Sequence, residues 1–204
     1  MIPFINTVFL EILLLIVCYL GDTLLQHPVV KQQFVVALTD SLTHGIVGGI
    51  SWAIVCDLKF KKQECLECIL CLVLAMLVDA DHFISARSFS LKAALFLPAR
   101  PPFHATTLVI LVDITLVIVA AILKSQNLIL GAMIFTTAWV SHHVRDGHRR
   151  GLWFYPFGET AAIPKPLYLG IILAFPLLMK ILHLFFDKQR LKDRTIILSG
   201  AQLV

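Results

Sequence analysis

Carboxylates and imidazoles recur in this sequence at the spacing of one helical turn. The pairs are Asp40 with His44, Asp79 with His82, and His142 with Asp146. Residues three or four positions apart lie on the same face of a helix, so each pair presents an acid and an imidazole together. These are the side chains that bind divalent metals and that transfer protons in acid–base catalysis.

The segments that carry these pairs are strongly apolar. Of 204 residues, 58% are hydrophobic and only 15% are charged, and the mean hydropathy is +0.87. Stretches of about 20 apolar residues are long enough to cross a bilayer as helices. Six such stretches are predicted, at residues 4–25, 34–56, 65–84, 106–123, 128–144 and 167–186. The first contains Glu11 and lacks a basic start, so we expect it to remain as a span rather than to be a cleaved signal.

The sequence therefore predicts an all-α integral membrane protein, a bundle of about six transmembrane helices. Residues 1–187 are expected to form one multi-pass domain, followed by a charged C-terminal tail at 188–204. The net charge of +4 is spread over short loops and this tail. Because no basic stripe is present, we expect membrane lipid as a partner and no nucleic acid.

Six spans place both termini on one side of the membrane, which we call side A; the opposite side is side B. The acid–imidazole pairs fall toward side B, together with Asp22, Asp81 and His104. Ionisable groups at membrane depth normally face the interior of a bundle. We therefore predict a His/Asp cluster near one membrane face. The residues expected to share one site are His44, Asp79, His82, His104, His142 and Asp146.

Imidazole nitrogens and carboxylate oxygens are the common protein ligands of zinc, and more oxygen-rich sites suit manganese or iron. A divalent metal, zinc or manganese, is the cofactor that this cluster predicts. Bound metal would offset the buried negative charge and lower the pKa of a bound water.

Other polar residues have simpler interpretations. His27 and His183 are read as interfacial or hydrogen-bonded residues outside the site, and Asp22 as a hydrogen-bonding neighbour or a supporting group. Cys65, Cys68 and Cys71 recur at helical spacing and are interpreted as packing residues rather than palmitoylation or metal sites. Three arginines near the end of the fifth span are expected to reach lipid headgroups; they are Arg145, Arg149 and Arg150.

Two loop features complete the prediction. Residues 88–103 are read as an interfacial amphipathic helix that ends at Pro98, Pro101 and Pro102. Because His142, Asp146, Arg149 and Arg150 would share roughly one face on a continuous helix, the fifth span is expected to break at Gly147.

Several motifs resemble a known family. The stretches VDADHF at 78–83, SLKAALFLPARPPFHATT at 90–107 and SHHVRDGHRRGLWFYPFG at 141–158 closely resemble the transmembrane protein 267 family of animals, as does DSLTHG at 40–45. This resemblance implies a multi-pass membrane protein and little about its chemistry.

A more distant resemblance concerns the bacterial YdjM-like inner-membrane proteins, a group assigned as metal-dependent hydrolases. Their motifs T-H-x-x-x-G, P-D-x-D-H, H-R-G-x-T-H and S-H-x-x-x-D occur here in the same order. The resemblance implies that a metal site is formed by His44, Asp79, Asp81, His82, His104, His142 and Asp146. This sequence departs from the pattern at Val78, Ala99 and Phe103, and Ala99 replaces a histidine.

Together these features lead to one functional hypothesis, a membrane metal-dependent hydrolase acting on a lipid or lipid-linked phosphoester. The predicted metal ligands are His44, Asp79, His104 and His142. In this hypothesis Asp146 or Asp81 positions or deprotonates the attacking water, and His82 protonates the leaving group. One alternative is a non-catalytic scaffold that keeps the site as a folding element. Another is a proton- or metal-coupled transporter, although the side A halves of the fourth and fifth spans offer few polar groups.

Overall fold

The computed structural model describes residues 2–26 and 32–201, and most of them are helical. The eight α-helices in this part of the chain are α1 (Ile2–Gln26), α2 (Gln33–Val55), α3 (Lys62–Leu77), α4 (Ala80–Ala86), α5 (Leu91–Leu95), α6 (Thr106–Ile122), α7 (Gln126–Arg150) and α8 (Lys165–Ala201). A 3-10 turn at Pro102–His104 precedes α6, and a short hairpin of β1 (Trp153–Phe154) and β2 (Gly158–Glu159) precedes α8.

The helices correspond to the six predicted spans, with α3 and α4 together forming the third. Four segments are long and apolar enough to cross a membrane: Asn6–Gln26, Gln33–Val55, Lys62–Ala86 and Lys165–Lys188. Helix α6 is apolar but has only 17 residues, and α7 has 25 residues with a strongly polar C-terminal end. The predicted class, an all-α multi-pass membrane protein, is therefore confirmed.

Helix α2 lies at the centre of the bundle and packs against α1, α3, α7 and α8. Its close approach to α3 depends on Gly48, where a Cβ atom would lie 2.9 Å from the Ala75 Cβ atom. Small residues allow membrane helices to pack backbone against backbone, where van der Waals contact drives association. This approach brings the middle of α2 next to the C-terminal end of α3.

Two buried apolar clusters hold the bundle below the polar site. One lies among α2, α3, α6, α7 and α8 and includes Trp52, Ala75 and Trp139. The other lies among α1, α2, α7 and α8 and includes Leu14 and Tyr168. The polar residues are thus held at one end of a packed helical core.

The third span is not one regular helix. Helix α3 ends at Leu77 and α4 begins at Ala80, and the Asp79 N–H donates to the Met76 carbonyl at 3.2 Å. This irregular turn leaves Asp79 between two helices. Val78 and Asp79 keep right-handed helical dihedrals, so the junction is a tightened turn with i→i−3 hydrogen bonds between two regular helical segments.

Helix α7 does not end where the sequence predicted. It continues through Gly147 to Arg150 and ends at Gly151, whose φ of 74° lies in the left-handed region. A Cβ atom at Gly151 would lie only 2.0 Å from the Thr160 carbonyl oxygen. The predicted break at Gly147 is therefore wrong, because the glycine that turns the chain is Gly151.

Two further segments bear on the predictions, and only the first differs from its predicted form. The amphipathic helix expected over 88–103 is reduced to the five residues of α5, followed by an extended segment and the 3-10 turn. Proline removes a backbone donor and disfavours helix in the residue before it, which explains the loss of helix near Pro98, Pro101 and Pro102. Helix α8 runs without interruption across the expected domain boundary at 187/188.

Candidate metal centre

Five side chains from four parts of the chain meet at the side B end of the bundle. Helix α2 contributes His44, the α3–α4 junction contributes Asp79, the 3-10 turn contributes His104, and α7 contributes His142 and Asp146. His44 and His142 are almost fully buried, and their rings stack with centroids 3.7 Å apart. The five residues form what we call the His/Asp cluster.

The cluster is organised around the two carboxylates. Asp146 Oδ1 is 3.2 Å from His44 Nε2, and Asp146 Oδ2 is 3.5 Å from His104 Nε2 and 3.8 Å from His142 Nε2. Asp79 Oδ1 is 3.6 Å from His104 Nε2 and 3.7 Å from His142 Nε2. All three imidazoles therefore direct the same ring nitrogen, Nε2, toward carboxylate oxygens.

These separations suit ligands that share a cation. Zinc binds histidine nitrogen and carboxylate oxygen at about 2.0–2.2 Å, so two ligands of a tetrahedral site lie roughly 3.4 Å apart. Most of the observed distances are longer than the ~2.9 Å typical of a hydrogen bond to nitrogen. The spacing of the cluster therefore fits a small divalent metal better than a set of direct hydrogen bonds.

The orientation of His142 is set by the backbone of α3. Its Nδ1 donates to the Ala75 carbonyl at 2.9 Å, which leaves the Nε2 lone pair facing the cluster. Nε2 is buried and has no hydrogen-bond partner among the described residues. Metal-binding histidines commonly donate their second ring N–H to a carbonyl or carboxylate in this way.

His104 is oriented by Asp81. The Asp81 Oδ2 atom is 3.3 Å from His104 Nδ1 and accepts a 2.6 Å hydrogen bond from the Phe103 N–H. Burial acts to lower the pKa of His104, but the carboxylates of Asp79 and Asp81 outweigh it and raise this pKa to about 9. His104 is therefore protonated when no metal is bound, and a bound metal would take the place of its proton.

Asp81 was one of two residues expected to position or deprotonate the attacking water, and that role stays a prediction. Its side chain is fully buried behind His104, where it is placed to orient the imidazole. His82 lies beside it, with Nδ1 3.0 Å from the Ala94 carbonyl and its ring edge-on to His104 at 5.0 Å. His82 is half-buried and faces an adjoining cavity, so it remains accessible to a ligand.

Two arginines that were expected to reach headgroups instead point into the protein. Arg145 is fully buried, with Nη1 2.6 Å from Asp40 Oδ1 and Nη2 3.1 Å from Asp22 Oδ1. Arg149 donates to Asp40 at 2.9 Å and to Asp146 at 2.5 Å. The prediction for Arg145 is therefore wrong, whereas Arg149 is paired but still 34% exposed, so its contact with headgroups stays a prediction. Buried carboxylates on the neighbouring helices require cationic partners. Because α7 continues past Gly147, its arginines lie on the side that faces these carboxylates.

Other predicted residues lie outside the cluster. His183 contacts the Trp52 ring at 5.8 Å near the opposite end of α2. His143 is buried beside the cluster, but its Nδ1 bonds to the Trp139 carbonyl in its own helix. The cysteines are free thiols, and Cys71 Sγ donates to the Gly48 carbonyl at 3.2 Å. His27 lies outside the described residues.

Membrane-spanning apolar helices around a buried polar cluster define a multi-pass integral membrane protein. Sequence comparison then identifies its relatives. The chain is 42% identical over 162 residues to transmembrane protein 267 of Bos taurus, covering 78% of this chain and 74% of that protein. It is 42% identical over 168 residues to the protein of the same name from Danio rerio, covering 81% and 75%. The chain belongs to the transmembrane protein 267 family.

The mouse member is 38% identical over 164 residues, covering 79% of this chain and 75% of its own length. No family model and no solved structure matches the chain. These comparisons do not support the distant resemblance to YdjM-like proteins, so that resemblance contributes only to the proposal below.

Proposed function

We propose that the protein is a membrane-embedded metal-dependent hydrolase that cleaves a phosphoester of a lipid or lipid-linked substrate. The observation that carries this proposal is that three Nε2 atoms lie 3.2–3.8 Å from oxygens of two carboxylates. They form two overlapping triads that share His142, one with His44 and Asp146 and the other with Asp79 and His104. Zinc or manganese is the cofactor that this donor set suits best. The resemblance of motif order to YdjM-like proteins agrees with the same chemistry.

The balance of charge supports a cation at this place. Five carboxylates lie in or beside the cluster, and among the described side chains three cationic groups pair with them, the guanidinium groups of Arg145 and Arg149 and the protonated imidazole of His104. The carboxylates are Asp22, Asp40, Asp79, Asp81 and Asp146. Leaving ionised groups unpaired in a buried position is costly. A divalent cation would offset the remaining negative charge without further proton uptake.

The proposed roles follow from position. His44, His104 and His142 would hold the metal together with Asp79, and Asp146 is close enough to all three imidazoles to bind or to orient a water. A bound divalent metal supplies Lewis-acid activation of water and neutralisation of phosphate charge. Asp81 keeps the His104 ring in place. His82, on the cavity side, is positioned to donate a proton to a departing alkoxide.

The metal assignment is tested by elemental analysis of the full-length protein purified in detergent and supplied with zinc or manganese. Wild type is expected to retain about one ion per chain, as a single shared set of ligands implies. His142→Ala and Asp79→Asn should each lose it, while His183→Ala, which alters a histidine outside the cluster, should keep it. Equal metal content in wild type and both cluster variants would rule out the proposed ligands.

The hydrolytic step is tested in mixed micelles by the inorganic phosphate released from phosphatidic acid and by the phosphomonoester and alcohol formed from a phosphodiester lipid. Activity that needs the metal and disappears in Asp79→Asn supports the proposal. Retained metal with no hydrolysis of either lipid supports the second candidate, a non-catalytic scaffold. The ion pairs of Arg145 favour that candidate, since they join α1, α2 and α7 without any metal.

A transporter remains a weaker alternative. The part of α7 toward side A is apolar from Leu128 to Ile134. In the adjoining α6, Asp113 is already engaged by the Thr136 hydroxyl at 2.8 Å. Polar groups near the cluster therefore have no clear continuation along α6 and α7 toward side A.

A further inference from the structure

A large, mostly apolar cavity adjoins the His/Asp cluster. Its volume is about 540 Å³, within the range of roughly 300–1,000 Å³ that small-molecule sites occupy. Helices α2, α3, α4 and α5 supply its apolar wall, which includes Phe34, Leu38, Met76, Leu77, Phe83 and Leu95. Several of these side chains are themselves exposed on the helices that face lipid.

One end of this cavity is chemically different from the rest. There it is lined by Asp79, His104 and Asp146 of the cluster and by His82. A molecule in the cavity would therefore have its apolar part against α2 and α3 and its polar end against the proposed metal ligands. A cavity with an apolar wall and one polar end suits an amphipathic ligand.

Two arginine side chains lie at the same, polar end of the cavity. Arg149 lines the cavity but is already held by Asp40 and Asp146. Arg150 also lines it, is exposed, and has no carboxylate within ion-pair distance among the side chains described at 6–26 and 32–188. A guanidinium group without an acidic partner, placed beside a membrane face, suits a phosphate oxygen.

We propose that this cavity binds an acyl chain of an anionic phospholipid, with the phosphate held between Arg150 and the His/Asp cluster. The inference rests on the proposed function for the position of the phosphate, and it specifies the substrate as a phospholipid that enters from the bilayer. The acyl chain lies along α2 and α3, and the headgroup reaches the polar end. Apolar burial supplies affinity, and Arg150 supplies selection for negative charge.

Binding can be measured without turnover if the phosphatidic acid is replaced by its non-hydrolysable phosphonate analogue. The full-length chain is purified in detergent, supplied with zinc, and incubated either with the dioleoyl phosphonate analogue of phosphatidic acid or with dioleoylglycerol, which lacks the phosphate. A chelator-treated sample measures the contribution of the cation. Bound lipid is then determined by native mass spectrometry. Wild type is expected to retain both lipids and to prefer the phosphonate analogue by about fivefold, since one basic residue near an anionic surface contributes about 1 kcal/mol.

Two variants separate the apolar and charged parts of the site. Ala37→Phe fills the cavity from α2 and should lower retention of both lipids about tenfold, the equivalent of roughly two buried methylene groups. Ala93→Phe is the matched control, because Ala93 is also half-buried but does not line the cavity. Arg150→Gln should remove the preference for the phosphonate analogue and leave dioleoylglycerol unchanged.

Equal lipid retention by Ala37→Phe and Ala93→Phe would overturn the acyl-chain site, as would a preference for the phosphonate analogue that survives Arg150→Gln.

Failure of this inference is distinguishable from failure of the proposed function. Metal that binds and supports hydrolysis of a short-chain phosphoester, together with lipid retention insensitive to Ala37→Phe, overturns the cavity alone. Lipid binding that follows these variants in a protein that never binds metal supports the cavity and overturns the hydrolase.

Discussion

Asp81 stands directly behind His104, with its Oδ2 atom 3.3 Å from the ring Nδ1. The ring is thereby turned so that Nε2 faces Asp79 and Asp146. Carboxylates in this position fix the orientation of a ligand imidazole and increase its basicity.

We therefore expect Asp81→Asn to lower zinc affinity by about 10- to 100-fold, the usual cost of losing such a partner. Asparagine keeps an acceptor for the Phe103 N–H, so the turn should remain folded. Competition with a fluorescent zinc chelator measures the change. Asp113→Asn, in α6 and away from the cluster, is the control. An affinity equal to wild type in Asp81→Asn would contradict this role.

Zinc binding should also depend on pH. The raised pKa of His104, about 9, means that the imidazole is protonated at pH 7 in the metal-free protein. Metal must displace this proton. Zinc affinity should therefore rise by about tenfold per pH unit between pH 7 and pH 9, since each pKa unit corresponds to 1.36 kcal/mol. Isothermal titration in two buffers of different ionisation enthalpy counts the released proton. A pH-independent affinity over this range would contradict the assignment.

Arg145 should be more important for stability than for metal binding. Its guanidinium is fully buried between Asp22 and Asp40. Because Asp40 is also paired with Arg149, Arg145→Met leaves one buried carboxylate, that of Asp22, without its cation. Breaking a buried ion pair in this way costs about 3–5 kcal/mol. Lys92→Met, an exposed change in α5, is the control for altered net charge.

The thermal unfolding midpoint in detergent measures the loss. The double variant Asp22→Asn/Arg145→Met should recover part of it, because the carboxylate left without a cation is then neutral, while Asp40 keeps its ion pair with Arg149. If Arg145→Met unfolds at the same temperature as Lys92→Met, the ion-pair network does not stabilise the bundle.

Glycines at two positions of α7 should differ sharply in their tolerance of a side chain. A Cβ atom at Gly147 would lie 2.9 Å from Ile163 Cδ1 and 3.0 Å from Leu152 Cδ2, whereas nothing lies within 4 Å of one at Gly131. Gly147→Val should therefore displace the chain after α7, costing about 1–3 kcal/mol for overpacking. Metal retention and membrane expression are measured for both variants. Equal tolerance would contradict this packing.

Sequence reasoning located the cluster because its signal was local. Helical spacing predicted that His142 and Asp146 share a helix face. Their common position near one membrane face predicted that His44, Asp79 and His104 belong to the same site. It did not find the role of Asp81, since that role depends on how the 3-10 turn folds back over α4. A turn stabilised by contacts between distant segments leaves no periodic pattern in the chain.

The arginines were misread for a different reason. A continuous α7 places Asp146 and Arg149 on the face of His142, and this was recognised from the sequence. The helix was then expected to break so that the arginines could reach headgroups. Asp22 and Asp40 indicated an inward orientation of the arginines, because two acids near the same membrane face require cationic partners. Electrostatic pairing between helices, rather than the preference of arginine for lipid, decided the orientation.

The irregular turn between α3 and α4 links two distant parts of the chain. In a regular helix the Asp79 N–H would occupy the Ala75 carbonyl, but here it bonds to Met76, and His142 donates to Ala75 instead. A carbonyl released by a broken helix inside a membrane needs another donor. The turn and the histidine are therefore interdependent. Among relatives, we expect them to change together: a family member without a donor at 142 should carry an unbroken helix through 75–79.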